Sequence, residues 1–294
     1  LPEKTKGDKK MYYPFFTQVL TKQGWRVIAD INFRKTPILR FNPKTNSLDW
    51  NKIERIEIIK DHPPKWYANK YVSLPIDGNP PEVIHKAGVL SRGKPVKWAY
   101  LLGWVLTDAW VRRDKFVTLV QAKSKTRKKL EDALKKYGIK HSVVTRNRPN
   151  RLECCEYSLR KEESEYFLSV FPGRFPTWDI LTWNKESREK LLEGIIDGDG
   201  SRREYRSSKG YSIASINDKK KEIYQALTMS LGYKTCIHCD GARVGFSKSQ
   251  TVSRLNRSSI DVNKYVYQNS FNIDVPGGYF VGRIDKKISM FKAL

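Results

Sequence analysis

Two short stretches carry acidic residues in a pattern suited to holding a cation. They are Leu101–Ala109, LLGWVLTDA, and Leu192–Gly200, LEGIIDGDG. Laid over each other they share Leu101/Leu192, Gly103/Gly194, Val105/Ile196 and Asp108/Asp199, with small residues, Thr107 and Gly198, just before the aspartates. Gly103 and Thr107 are four residues apart, as are Gly194 and Gly198, so on a helix each pair makes a small-residue stripe along one face. Two such helices pack backbone to backbone. Asp108 and Asp199 then meet at helix C-terminal ends, where the macrodipole is already negative and like charges repel. That arrangement asks for a divalent cation, and it predicts metal-dependent chemistry at a pseudo-two-fold axis with both aspartates as ligands.

Each motif opens the same series of elements. After Asp108 comes WVRRD, which reads as a basic turn. The alternating strand KFVTLVQAK follows, then KTRKKLEDALKKYGI, whose Leu130, Ala133, Leu134 and Tyr137 fall at helical spacing before Gly138. VVTRNRPNRLECCEYSLRK reads as a hairpin, and ESEYFLSVF as a further helix stopped by PGRFP. From about Asn184 the order recurs: the helix KESREKLLEGIIDGDGS, the strand GYSIASIND, the helix KKKEIYQALTMSLGY and the hairpin KTCIHCDGARVGFSKS. The separation of 91 residues between Asp108 and Asp199 suits a tandem repeat of one α/β half-domain. Before it, TQVLT, WRVIADI, PILRF, LDWNKIERIEIIK and WYANKYVSLPI are short β-type runs, with a loop at IDGNPP before Val83–Leu90. Residues 1–10 are charged and aperiodic and read as a basic arm.

At 294 residues the length suits about two domains. A hydrophobic fraction of 39% and an aromatic fraction of 12% argue for folded cores. The net charge of +25, spread along the length, is the footprint of a protein that binds a polyphosphate. No apolar run reaches membrane-spanning length and no charged-then-apolar leader is present, so the expectation is a soluble, intracellular nucleic-acid binder with no membrane partner. Cys154, Cys155, Cys236 and Cys239 raise a zinc site, but adjacent cysteines on a strand point to opposite faces, and structural, reduced thiols are favoured. His62, His85, His141 and His238 lack zincin spacing, and no P-loop or dinucleotide-binding glycine pattern occurs.

The duplicated motif and the elements after each copy resemble the LAGLIDADG homing endonucleases in their single-chain form, over about 97–257. The resemblance implies an α+β fold: tandem pseudo-two-fold repeats (96–175 and 184–257) whose two sheets form a saddle on double-stranded DNA, in a monomer with internal pseudo-symmetry. It implies Mg²⁺ held by Asp108 and Asp199, and hydrolysis of both strands. It places polar groups at Gln121 and Asn217 in the first strand of each repeat, and lysines at Lys161 and Lys248 in later strands, either as catalytic groups or as phosphate contacts. Base readout would fall to Thr118, Val120, Arg146 and Arg148 in the first repeat and to Arg202, Arg203, Tyr205, Ser212 and Arg243 in the second. Leu106 and Ala109 depart from the family pattern, so unequal half-sites are expected, and Asp197, pointing away from Asp199 on a helix, reads as a hydrogen-bonding residue.

The flanks, 1–95 and 258–294, are similar to the intein (Hint) splicing fold. Val19–Trp50 resembles its opening strands, and FNIDVPGGYFVGRIDKKISM its closing ones. Splicing chemistry looks lost: Met11–Pro14 holds neither Cys nor Ser, residues 15–95 hold no Thr-x-x-His, and the final residues are Phe-Lys-Ala-Leu. The expected role is a degenerate β domain kept as a DNA-contacting accessory, with Arg34, Lys35, Arg40, Lys60 and Lys65 suited to phosphates. Two other readings stay open, an RNA maturase and a DNA-binding relic that no longer cuts.

Overall fold

The computed structural model describes residues 13–14, 16–42, 44–45, 47–60, 66–68, 73–75, 93–113, 115–147, 153–205, 208–238, 241–247, 269–276, 278–284 and 287–292. Arg148, Lys248, Cys239, Lys65, His62, His85, the 1–10 arm and the 83–90 segment lie outside the described residues. The chain divides into two compact units, one formed from 1–93 and 249–294 with 232–236, the other from 94–231 and 237–248.

The first unit is all β among the described residues, apart from one 3-10 turn. Its strands are β1 (Tyr13–Pro14), β2 (Gln18–Thr21), β3 (Gly24–Val27), β4 (Ile38–Asn42), β5 (Ser47–Asn51), β6 (Arg55–Lys60), β7 (Trp66–Ala68) and β8 (Ser73–Pro75). WRVIADI does not run on as a strand: β3 stops at Val27 and Ile28–Asp30 is the 3-10 turn. The two ends of the sequence pair here. Strand β17 (Asn269–Asp274) lies between β1 and β6, while β18 (Tyr279–Ile284) joins β19 (Lys287–Lys292) to β2 and β4. Tyr13, Val19, Ile38, Phe271 and Phe280 close one apolar core, with Tyr13 edge-on to Phe280 at 5.4 Å. Arg40 is not available to phosphates. It is buried, paired with the Asp49 carboxylate opposite it in the β4–β5 hairpin, and donates to the Pro276 carbonyl.

The second unit holds every α-helix described: α1 (Ala99–Asp108), α2 (Ser124–Lys136), α3 (Lys161–Val170), α4 (Lys185–Asp199) and α5 (Asp218–Ser230). The remaining strands are β9 (Ala109–Val111), β10 (Val117–Gln121), β11 (His141–Arg146), β12 (Cys154–Leu159), β13 (Gly200–Tyr205), β14 (Ser208–Ala214), β15 (Lys234–Ile237) and β16 (Arg243–Ser247), all in this unit except β15, most of which falls in 232–236. Trp110 and Val111 form an edge strand rather than the expected turn, because β-prone side chains pair with Thr118 and Val117; the turn itself is Arg112–Lys115.

The ladder registers set the two halves in correspondence. Ala109, next after Asp108, pairs with Leu119, which pairs with Tyr157. Gly200, next after Asp199, pairs with Ile213, which pairs with Val244. The orders β9–β10–β12 and β13–β14–β16 therefore repeat with the aspartates in matching places. One face of each sheet is covered. Tyr157 donates to Glu131 of α2 and Cys155 meets Arg127 of α2, while Ile213, Val244 and Phe246 are buried in the other half. Helix α2 ends on Gly138, whose φ of 63° suits glycine.

A candidate metal-dependent nucleic-acid site

Helices α1 and α4 touch through their glycines. A Cβ at Gly103 would lie 2.5 Å from the Leu191 carbonyl oxygen, and one at Gly194 2.0 Å from the Tyr100 carbonyl oxygen. Further down, the Gly198 position abuts Thr107 and comes within 3.0 Å of Asp108 Oδ2. This packing leaves no room for side chains between the backbones, and it delivers Asp108 and Asp199 side by side at the two C-termini. Asp108 is pushed up to about 7 by burial first and the Asp199 charge second, with Lys123 and Arg174 opposing. Asp199 is raised by burial, against the pull of Lys220, Lys123 and Arg174. Both carboxylates thus hold their protons above the ordinary range, the mark of an anionic site short of positive charge.

Gln121 reaches the first carboxylate. Its Nε2 donates to Asp108 Oδ2 at 3.1 Å, while its Oε1 accepts from the amides of Ala122 and Lys123 at 3.0 Å each. The backbone at the start of α2 therefore fixes which way the amide points. Asn217 does not mirror it. Register places Ser215 opposite Gln121 in the repeat and Asn217 opposite Lys123; Asn217 is exposed and caps α5, accepting from Lys220 N at 3.0 Å. Helices α2 and α5 begin at corresponding positions, Ser124 and Asp218, so the residue that matches Gln121 is Ser215, and Asn217 is the residue directly before the helix. Asn217 still lines a cleft of about 650 Å³ with Asp199, Arg174, Lys220, Tyr224 and Arg243.

Three cations missed by sequence reading surround the carboxylates. The last turn of α1 lacks a glycine cap, and its orphan carbonyls are taken by side chains instead: Arg174 donates to the Val105 and Thr107 oxygens at 3.0 and 3.1 Å, and Lys220 to the Leu106 oxygen at 3.2 Å. Arg174 sits at a φ of 60°, just after Gly173 at 61°, so the PGRFP turn aims it there at the cost of backbone strain. Burial lowers the pKa of both groups. Lys123, the residue before α2, supplies the third charge.

Lys161 lies elsewhere. It opens α3 instead of ending a strand, pairs loosely with Glu165 at 3.9 Å and lines a separate depression with Lys115 and Phe116. The partner of Gln121 on β12 is Cys155; Leu159, the strand's end, is already roughly 13 Å further along. Among the proposed base readers, Thr118 is fully buried and shares a hydrogen bond of 3.2 Å with Ser158, so its hydroxyl is spent within the sheet. Arg146 is exposed but paired to Glu156 at 2.7 Å. Arg202 is committed to Asp197 at 2.8 Å. Arg203 and Tyr205 pair in register with Gly210 and Ser208. Val120 is half-buried, Arg243 exposed, and Ser212 shares a 2.7 Å hydrogen bond with Ser201.

Asp197 is a structural group. It accepts from Tyr100 at 3.0 Å, Lys129 at 2.6 Å and Arg202 at 2.8 Å, which leaves it turned away from the paired carboxylates. Among the described residues no group of three or more His, Cys, Asp or Glu side chains converges, and no helix is long and apolar enough to cross a membrane. The donor set is consequently two carboxylates, which fits a hard cation that completes its shell with water and phosphate oxygens.

No protein-family model matches the chain, and no curated protein does. Among solved structures it is similar to mesophilic variants of the homing endonuclease I-DmoI, with 18% identity and a TM-score of 0.36 over 51% of this chain and 87% of that one. It is similar also to I-DmoI in complex with DNA and Mn, at 18% identity and a TM-score of 0.36 over 51% and 88%. The N-terminal LAGLIDADG domain of DUF199/WhiA shares 13% identity at a TM-score of 0.36, over 51% of this chain and 74% of that one.

Proposed function

We propose that this protein is a site-specific endonuclease that hydrolyses both strands of double-stranded DNA at Asp108 and Asp199, with Mg²⁺ as the divalent cation. The observation that carries the reading is the pair of proton-holding carboxylates at abutting helix ends, ringed by Lys123, Arg174 and Lys220. A pure scaffold has no use for two acids packed against each other. A bound divalent cation would supply a nucleophilic water and stabilise charge on the scissile phosphate. The chain's own groups do the rest. Lys123 and Lys220 attract and seat the phosphate backbone, Arg174 holds the end of α1, and Gln121 orients Asp108. Because one chain carries both half-sites, it acts as a monomer. The β unit is proposed as a degenerate Hint-like domain that adds phosphate contacts through exposed Arg34 and Lys35.

The test is incubation with Mg²⁺ or Mn²⁺ and a plasmid library of candidate targets, beside Asp108→Asn and Asp199→Asn. Linear product from the wild type, and none from either variant, is expected. No linear product under any divalent cation would sink the nuclease reading. A non-cleaving DNA binder is the second reading, favoured by the same three cations, which already neutralise part of the carboxylate charge. Metal-independent, sequence-specific binding without cutting would establish it, and preferential RNA binding would point to a maturase.

A further inference from the structure

A large apolar side chain stands in water at the rim of the cleft beside Asp199. Ile216 is 100% exposed, more than any other large apolar residue described, and it lines the same cleft as Asp199, Arg174, Lys220 and Arg243. It is held there. Ile216 is the middle residue of the connection between β14 and α5, and both neighbours are tied down. Ser215 N donates to the Ala242 carbonyl at 3.0 Å, the Ser215 hydroxyl accepts from Asn217 N at 3.3 Å, and Asn217 caps α5. Because α2 and α5 begin at Ser124 and Asp218, the residue that matches Ile216 in the first repeat is Ala122. Isolated exposed apolar residues are ordinary on a protein surface. One pinned at the lip of a paired-carboxylate site, amid cations, needs a partner that satisfies both. An apolar protein surface would have to bury Lys220, Arg243 and the exposed Lys219 to reach the isoleucine. A duplex brings phosphates to the cations and, between parted base pairs, an apolar slot to the side chain.

We propose that Ile216 is a wedge that enters one base step of the duplex beside Asp199 and kinks it there. This rests on the DNA reading above and goes beyond it, naming a deformation and the residue that makes it. Inserted apolar side chains part neighbouring base pairs and bend a duplex by roughly 20–90°. The braced connection suits that task, because a side chain presented on fixed backbone loses little freedom when it inserts. Ala122 carries one methyl group and cannot part a stack, so the kink is made from one repeat only. Pyrimidine–purine steps unstack most easily, and the step at Ile216 is therefore TA or CA/TG.

Selection of the full chain on a randomised duplex pool, with Ca²⁺ in place of Mg²⁺, supplies a bound site for the test. Each adenine is then replaced in turn by 2-aminopurine, which brightens when it is unstacked; every TA or CA/TG step holds an adenine. The wild type should raise the fluorescence at one step. Ile216→Ala should abolish that rise and, in a fresh selection, the enrichment of pyrimidine–purine sequence at the step; Ile216→Leu should restore both. Affinity should fall by no more than about tenfold in Ile216→Ala, since the apolar burial lost is partly offset by the stacking regained. Ile216 is fully exposed, so the alanine variant should unfold as the wild type does. A rise that persists in Ile216→Ala, or a bound duplex with no rise at any position, overturns the wedge while leaving DNA binding standing. Recovery of no duplex overturns both.

Discussion

Asp108→Asn should make the metal-free protein more stable, and more so as pH rises. The carboxyl is raised from an ordinary 3.8 to about 7. Below pH 4 it is protonated in folded and unfolded chains alike, and no penalty exists. Between about 4 and 7 only the folded chain keeps the proton, so stability falls as pH rises; above 7 both forms are ionised and the penalty is complete. At ~1.4 kcal/mol per tenfold, the full difference is roughly 4 kcal/mol, of which roughly 3 kcal/mol accrues between pH 5 and 8. Asparagine carries no proton to lose, keeps an oxygen for Gln121, and removes a charge beside Asp199. Guanidinium unfolding followed by helical circular dichroism, in chelator, reads the second unit, because all five described helices lie there. The variant should exceed wild type by several kcal/mol at pH 8 and by little at pH 5. Added Mg²⁺ should stabilise the wild type and leave the variant unmoved. A variant no more stable than wild type at pH 8, or an advantage that does not change with pH, would refute the reasoning.

Gly194→Ala forces a Cβ to within 2.0 Å of the Tyr100 carbonyl, backbone that cannot turn aside, so a loss of about 3 kcal/mol or more is expected in the same unfolding assay. Asp197→Ala strands Lys129 and removes the acceptor of a buried tyrosine; it should cost about 3 kcal/mol, while Asp197→Leu combined with Lys129→Ile, Tyr100→Leu and Arg202→Val should recover most of that. Arg174→Met should fray the end of α1, seen as faster amide exchange at Thr107 and Asp108, with cleavage reduced at least tenfold; unaltered exchange would deny it the capping role.

How far the sequence could be read depended on the distance over which each cause acts. The glycine stripes and their aspartates are local patterns, and duplication at a fixed separation made two helices recognisable as partners before any contact was known. Gln121 comes from the resemblance of the repeat to a known family, and nothing in the strand's own pattern marks it as the residue that reaches Asp108. The same resemblance sets Asn217 two residues beyond the position that the ladder registers match with Gln121, because sequence likeness carries no register. The three-residue strand β9 was too short to show a period. Arg174 and Lys220 were unreadable in a stricter sense, since they bind carbonyls 69 and 114 residues away, and a carbonyl leaves no mark in the sequence. The one local hint was the missing glycine cap after Asp108, which says that the last carbonyls of α1 need donors but not which.

The clearest asymmetry lies below the paired carboxylates. Asp197, Tyr100, Lys129 and Arg202 form one hydrogen-bonded quartet; the pseudo-symmetric positions are Leu106, Leu191, Ile223 and Val111, of which the first three are buried. All four positions differ in character together, as the energetics require: a lone carboxylate among apolar neighbours, or a lone lysine, would carry an uncompensated charge into the interior. The quartet ties α4 and β13 to α1 and α2 across the pseudo-dyad, and its directional bonds reject a helix slid or rotated by one residue. The apolar quartet rejects it only through packing. Register between the motif helices is thus set chiefly by the Asp197 side, and the position of Asp199, two residues further on, inherits that precision. Asp108 has no such anchor on its own helix. Its place is held from outside, by Gln121 at its carboxylate and by Arg174 and Lys220 at the carbonyls preceding it.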